Sequence, residues 1–277
     1  MSLNLNYIIS LEAAVVAGKA IKSIYLSKNY EIETKADDSP VTRADKTSSV
    51  IIAQYLRQTS IPVIDEENSC PDYSIRKTWN NLWLVDPMDG TREFISGNGE
   101  FTVNIALIES GRAIFGVIYS PITGDLYFGG KETGSFKLAG LFEWPGILEI
   151  ETHAELLKPE NNTSLKLRVA ASRSHLDAKT QTFLDQLEKA YGEMDFVSKG
   201  SSLKLCMIAE GLTEVYPRFS RTMEWDTAAG HAIVSGTAGV LLQADSLKEL
   251  EYNKEDLSNP SFYALSGIQW KKGLKKF

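Results

Sequence analysis

The junction where Leu82-Trp-Leu-Val85 runs into Asp86-Pro-Met-Asp-Gly-Thr91 constrains the chain more than any other segment. The apolar run predicts a buried strand. Pro87 lacks an N–H and cannot extend a central ladder, so the strand is expected to stop there. Asp86 and Asp89 then stand at a strand end, beside main-chain groups that the ladder has released. Carboxylate and carbonyl oxygens together suit a hard divalent cation. An ordinary turn uses the same residues, because Asp, Pro and Gly favour turns on their own. The other acids in the chain have to separate these readings.

The remaining pattern sets the frame. Apolar residues at helical spacing predict a helix from about Tyr7 to Leu26 and another from near Ala44 to before Ile61. The polar stretch Glu31 to Ser39 reads as a loop. Ile61 to Ile64 reads as a strand delivering Asp65, Glu66 and Glu67. Strands are expected over Phe101–Ile108 and Ala113–Tyr119, with a hairpin return at Leu126–Phe128. Leu141 to Thr163 is weakly periodic and is read as an exposed insertion or domain junction. From Leu167 strands and helices alternate: strands at 167–171, 213–216 and 239–242, helices at 178–191, from 203 and at 226–235. That alternation predicts an α/β second half, and the first half reads as α+β with antiparallel sheet. The expected division is 1–160 and 161–277.

Composition excludes several classes. Of 277 residues, 43% are hydrophobic and 23% charged, and the net charge is −7 without a basic block. Such a surface argues against a nucleic-acid polymer as partner. No apolar run approaches the roughly 18 residues of a membrane span, and the N-terminus lacks a secretory signal pattern. The two cysteines, Cys70 and Cys206, form no metal or redox motif. Two lone thiols fit a reducing cytoplasm, and no disulfide between them is expected.

Acids recur at the ends of the predicted elements. Asp45 lies just inside the second helix, Glu66 and Glu67 follow a strand, and Asp226 opens a helix beside Trp225. Each has an ordinary alternative when taken singly. Asp45 could be a solvated helix-face acid, Glu66-Glu67 a surface loop, and Asp226 an N-cap.

Taken together and in order, these segments resemble the inositol monophosphatase superfamily of metal-dependent, lithium-sensitive phosphatases. Asp86-Pro-Met-Asp-Gly-Thr91 matches its first signature and Trp225-Asp-Thr-Ala-Ala-Gly230 its second. The Glu66-Glu67 strand end and Val41-Thr-Arg-Ala-Asp45 also match, and the resemblance covers about residues 7 to 270. Gly90-Thr-Arg-Glu-Phe-Ile95 is similar to the 3'(2'),5'-bisphosphate nucleotidase branch. Ala171-Ser-Arg-Ser-His175, Lys199-Gly-Ser-Ser-Leu-Lys204 and Val215-Tyr-Pro-Arg218 fit the same branch. Asp65 departs from the family, where Ser or Gly precedes Glu-Glu. An extra acid there either alters metal affinity or leaves the register of Glu66 and Glu67 less certain.

The resemblance implies a layered α/β sandwich: an α+β N-terminal part with antiparallel sheet and an α/β C-terminal part. It implies two or three Mg2+ ions held by Glu66, Asp86, Asp89, Asp226 and the Met88 carbonyl. Mg2+ prefers octahedral oxygen ligands, neutralises phosphoryl oxygens and activates water. Asp45 and Thr91 would orient the attacking water and take its proton, with Glu66 beside them. Main-chain N–H groups of Gly90 and Thr91 would grip the scissile phosphate. His175, Ser201, Lys204 and Arg218 would serve the rest of the substrate, a planar guanidinium being suited to phosphate. The implied substrate is a small phosphorylated nucleotide, adenosine 3',5'-bisphosphate, with 3'-phosphoadenylyl sulfate as a related one. The alternatives are an inositol or sugar phosphatase and, in a different class, a non-catalytic nucleotide or metal sensor. The expected location is cytoplasmic, and the resemblance leaves peripheral association with the inner face of the membrane open.

Overall fold

The computed structural model describes residues 3–35, 38–159, 166–171 and 177–273. Helix α1 (Leu5–Ser27) starts where Asn4 Oδ1 accepts the Tyr7 N–H at 3.0 Å, and stops at Lys28 in the left-handed region. A short ribbon, β1 (Glu33–Thr34) and β2 (Pro40–Val41), leads to α2 (Arg43–Leu56). This helix ends in a 3₁₀ turn, Arg57–Thr59, before Ile61 as expected.

Next come β3 (Val63–Asp65), α3 (Tyr73–Arg76), β4 (Asn81–Asp89), α4 (Thr91–Ser96) and β5 (Thr102–Glu109). They are followed by β6 (Arg112–Ser120), β7 (Asp125–Gly130), β8 (Gly134–Leu138), α5 (Ile147–His153) and β9 (Glu155–Leu156). Strands β3 to β9 form one sheet in chain order, with β3 parallel to β4 and every later pair antiparallel. The segment expected to be an exposed insertion therefore holds α5 and supplies an edge strand.

The second half contains β10 (Leu167–Ala170), α6 (Ala178–Tyr191), β11 (Met194–Val197), α7 (Leu203–Glu210) and β12 (Val215–Arg218). It closes with α8 (Glu224–Gly236), β13 (Val240–Gln243), β14 (Phe262–Leu265) and α9 (Gly267–Lys271). The sheet order is β11-β10-β12-β14-β13, parallel at β11-β10-β12 and antiparallel beyond.

Side-chain alternation produces the layers. On β4, Trp83 and Val85 face the core built with α1 and α2, while Leu82 and Leu84 face Leu205, Ala229 and Ile233 of α7 and α8. The first sheet is thus covered on both faces, which explains its continuous apolar run. The other side of α7 and α8 meets Ala170, Tyr216, Leu241 and Ala264 of the second sheet. The far face of that sheet, with Val169, Val215 and Leu265, packs on Phe183 and Leu187 of α6. Two sheets and three helical layers alternate, as the resemblance implies. A Cβ on Gly116 of β6 would overlap the Ala229 carbonyl, so glycine there lets α8 lie close against the sheet.

The strand β4 differs from expectation. It continues through Pro87 to Asp89, but its ladder with β5 breaks between Asp86↔Asn104 and Asp89↔Thr102. Pro87 sits inside this irregularity, where no ladder N–H is required. Among the described residues, no helix is long and apolar enough to cross a membrane. Cys70 is exposed, Cys206 is buried, and neither is bonded to the other.

Candidate active site

The β4 irregularity lies where the end of β3 and the starts of α2, α4 and α8 come together. Glu66 N–H donates to the Val85 carbonyl at 3.2 Å, which sets the Glu66 backbone against β4. Glu66, Asp86 and Asp226 each offer a carboxylate oxygen, and these atoms all lie within 4.8 Å of one another. Asp86 is 1% exposed, and its Oδ1 accepts the Met88 N–H at 3.0 Å. Asp226 is the third residue of α8 rather than its N-cap; its Oδ2 accepts the Met223 N–H at 2.9 Å. Helix capping and membership of the acid cluster are therefore both true of Asp226.

Like charges at this density are costly without a cation. Burial, then Glu66, Asp89 and Asp226, push the Asp86 carboxyl far above the usual carboxylate range. Burial and then Asp89 push Asp226 up to about 8. Glu66 is raised by burial, and its Lys35 partner partly offsets this. An all-oxygen donor set that disfavours its own ionisation fits a hard divalent ion. The residues present therefore fit Mg2+.

Asp89 adds to this field but lies outside the close triad; its Oδ2 accepts the Ser202 hydroxyl at 2.7 Å. Met88 falls within the irregular stretch of β4, with its side chain buried. Asp65 is not part of the cluster. Its Oδ2 accepts from Ser49 Oγ at 2.7 Å and its Oδ1 from the Glu67 N–H at 2.8 Å, so it shapes the turn that presents Glu66. The extra acid is thereby explained as a turn-former, and Glu66 rather than Glu67 joins the triad.

Asp45 is buried, not on a solvated helix face. Its Oδ2 accepts the Thr42 N–H and hydroxyl, both at 2.7 Å, closing a capping box at the start of α2. Its Oδ1 accepts the Thr91 hydroxyl at 2.9 Å. Burial raises the Asp45 carboxyl, and the Thr42 and Thr91 hydrogen bonds oppose that rise. The Thr91 proton is committed to Asp45, which leaves the Thr91 oxygen free to accept from a water. Thr91 is the first residue of α4, not its cap; the cap is Gly90, at φ 96°. A Cβ at Gly90 would also meet the Glu100 carbonyl at 3.2 Å.

On the second-half side, Lys204 Nζ donates to the Lys199 carbonyl at 2.8 Å and the Ser201 carbonyl at 3.0 Å. Burial lowers its pKa; nearby Asp89 opposes this and Arg218 adds to it. Arg218 Nε is buried without a hydrogen-bond partner. Among the described residues, neither cation is in an ion pair. Both line a cavity of 260 Å³ that also touches Asp89, Arg92 and Asp226. An adjoining cavity of 320 Å³ shares Lys204, Tyr216 and Arg218 and extends to Ala171, Asp177 and Pro217. Arg92 thus borders the acid cluster. Ser201 borders the same cavity, in the left-handed region at φ 46°. His175 lies outside the described residues. A larger cavity of 540 Å³, beside Phe183 of α6 and Tyr263, contains none of the expected site residues.

Sequence reasoning missed Lys35, Asn104 and Ser202. Lys35 Nζ reaches Glu66 Oε1 at 2.8 Å and Glu67 Oε1 at 2.6 Å from within a polar loop that gave no periodic signal. Burial pushes Glu67 up to about 7, with Lys35 opposing. His231 of α8 is buried, which pushes it down to about 4, and its Nδ1 meets the Tyr252 hydroxyl at 2.8 Å.

Comparison with known proteins identifies the family. Residues 4–270 match the inositol monophosphatase family. The 3'(2'),5'-bisphosphate nucleotidase CysQ of Shigella flexneri is 42% identical over 250 residues, covering 89% of this chain and 94% of that protein. CysQ of Escherichia coli K12 is 40% identical over the same shares. The crystal structure of CysQ from Bacteroides thetaiotaomicron, described as a bacterial member of the inositol monophosphatase family, superposes with a TM-score of 0.86. That pair is 42% identical and covers 95% of this chain and 97% of the other. On its sequence, its layered fold and the acid cluster at its strand ends, the chain belongs to the inositol monophosphatase family.

Proposed function

We propose that the protein is a Mg2+-dependent phosphatase that hydrolyses the 3'-phosphate of adenosine 3',5'-bisphosphate to AMP and phosphate, with 3'-phosphoadenylyl sulfate as a second substrate. The observation that carries this reading is the pair Lys204 and Arg218. Two cations that make no ion pair among the described residues border a cavity that also touches Asp89 and Asp226 of the acidic side. A substrate with two phosphate groups complements both ends, whereas an inositol monophosphate leaves the cationic end unmatched. The nucleotidase names of the similar proteins support the same reading.

In this reading Glu66, Asp86, Asp89, Asp226 and the Met88 carbonyl hold two or three Mg2+ ions. When bound, the ions neutralise the phosphoryl oxygens, activate water and stabilise the leaving oxygen. The chain's own residues supply the rest. Thr91 accepts a hydrogen bond from the attacking water because its own hydroxyl proton is donated to Asp45. Asp45 fixes that hydroxyl and takes up the proton released from the water. Glu66, a member of the acid triad, assists beside them. Main-chain N–H groups of Gly90 and Thr91 hold the scissile phosphate.

Lys204, Arg218, Ser201 and His175 receive the 5'-phosphate and nucleoside. Burial strengthens the cation–phosphate attraction by lowering the local dielectric. Residues 1–160 thus carry most metal ligands, and 161–277 close the cleft with Asp226 and the nucleotide contacts. Comparing kcat/KM for adenosine 3',5'-bisphosphate and inositol 1-phosphate in Mg2+ tests the assignment. The nucleotide should win by at least about tenfold, the effect of one good interaction of about 1.4 kcal/mol. Equal or better use of the inositol ester would overturn it.

A further inference from the structure

The buried amide of Asn104 and the hydroxyl of Ser202 have no part in the chemistry above, yet they link its two halves. Ser202 caps the start of α7, between the loop that carries Lys199 and Ser201 and the helix that carries Lys204. Its Oγ donates to Asp89 Oδ2 at 2.7 Å and lies 3.0 Å from the Asp226 carbonyl. Asn104, on β5 opposite Asp86, donates from Nδ2 to the same Oγ at 2.8 Å. Thr102 Oγ1 in turn donates to Asn104 Oδ1 at 3.0 Å and lies 3.3 Å from Ser201 Oγ. Asn104 and Ser202 are 1% and 4% exposed, so solvent does not substitute for these bonds.

A serine hydroxyl has one proton and two acceptor sites. The Asn104 N–H occupies an acceptor site, which directs the Ser202 proton away from β5. Of the two oxygens within reach, the Asp89 carboxylate is nearer and charged, and the hydrogen bond to it is the stronger. Asp89 is therefore held by one oxygen at the edge of the Glu66–Asp86–Asp226 triad. This accounts for an acid of the first signature standing apart from the other three.

We propose that Ser202, aimed by Asn104, is a positioning residue for Asp89, leaving that carboxylate its Oδ1 for a cation and tying it to the start of α7, the helix that bears Lys204. The proposal rests on the metal-dependent reading of the site. Hydrogen-bond partners of metal ligands commonly change metal affinity about 10–100-fold when removed.

The test is calorimetric titration of the full-length protein with Mg2+ alone, without nucleotide. Ser202→Ala should weaken Mg2+ binding about tenfold or more, and Ser202→Thr, which keeps the hydroxyl, should restore most of it. Asn104→Ala should weaken binding less, and should add nothing to Ser202→Ala in the double variant, because it acts through the same hydroxyl. In activity assays the Mg2+ concentration for half-activation should rise while the nucleotide KM stays within about twofold, a split that general loosening would not give. Unchanged Mg2+ affinity in folded Ser202→Ala overturns the proposal, as does additivity of the two substitutions. Should the nucleotide prove not to be the substrate, the titration still decides the role of Ser202.

Discussion

Stripping divalent metal from the protein should expose a stability loss that grows with pH, in the direction opposite to ordinary acid denaturation. Asp226 is pushed up to about 8 and Glu67 up to about 7, in both cases first by burial. In the unfolded chain both carboxyls titrate near pH 4. A carboxyl whose folded pKa is raised contributes stability below its unfolded pKa and loses it as pH rises through the folded pKa. Between about pH 7 and about pH 8.5 the metal-free folded state holds somewhat less than one extra proton on average relative to the unfolded state, and each such proton is worth about 1.4 kcal/mol per pH unit. The expected loss is on the order of 1–2 kcal/mol, or a few °C in Tm for a chain of this length. Asp86 and Glu66, both raised, act in the same direction. His231, pushed down to about 4, gives the opposite slope below about pH 6.5, so the window is set above it. Thermal unfolding in EDTA should show Tm falling across the window, and saturating Mg2+ should flatten the curve. Asp226→Asn keeps an acceptor for the Met223 N–H, so it should raise the metal-free Tm at about pH 8.5 and reduce the slope. A flat or rising metal-free curve, or the same slope with and without Mg2+, would show that the acids do not form an electrostatically strained cation site.

Other substitutions separate the roles of individual residues. Thr91→Ala should lower kcat about 10²–10⁴-fold with little change in Mg2+ affinity, measured by steady-state kinetics and calorimetry; an effect confined to KM would remove Thr91 from the chemistry. Asp86→Asn should abolish Mg2+-dependent turnover, and unchanged activity would contradict the metal assignment. Arg218→Ala should raise the KM for adenosine 3',5'-bisphosphate at least about tenfold and leave slow cleavage of inositol 1-phosphate nearly unaffected, as the kinetics of both substrates will show. Gly200→Ala should weaken nucleotide binding, because a Cβ there meets the Glu100 carbonyl at 2.8 Å and forces the segment leading into α7 away from Glu100; unaltered AMP affinity would count against that segment as a nucleotide contact.

The acid cluster was legible because its members occupy element ends, where local pattern is informative. Apolar runs, Pro87 and the turn residues located Glu66, Asp86 and Asp89 before any tertiary information. Their order along the chain then resolved ambiguities that each residue carried alone. The tertiary environment was not legible in the same way. Asp45 has the look of a solvated helix acid until Thr42 and Thr91 are brought to its two oxygens. Asp65 looks like another ligand until Ser49 and the Glu67 N–H claim it. Both differences arise from partners contributed by the fold, which spacing along the chain does not encode. Pro87 misled for a related reason: a strand can pass through proline where its ladder is already out of register. Asn104 gave no signal, being a single small polar residue within an apolar strand, and Ser202 fell inside the Lys199–Lys204 segment without a role of its own. The second sheet was read correctly as α/β, but its antiparallel edge, β12-β14-β13, depends on a chain return that periodicity does not reveal.

The most direct test of the account is the product formed from adenosine 3',5'-bisphosphate with Mg2+ in ¹⁸O-labelled water. Attack of water on the 3'-phosphorus predicts 5'-AMP and inorganic phosphate carrying one solvent oxygen, and no reaction in EDTA. Formation of 3'-AMP, label in the nucleotide, or release that persists in EDTA would contradict it.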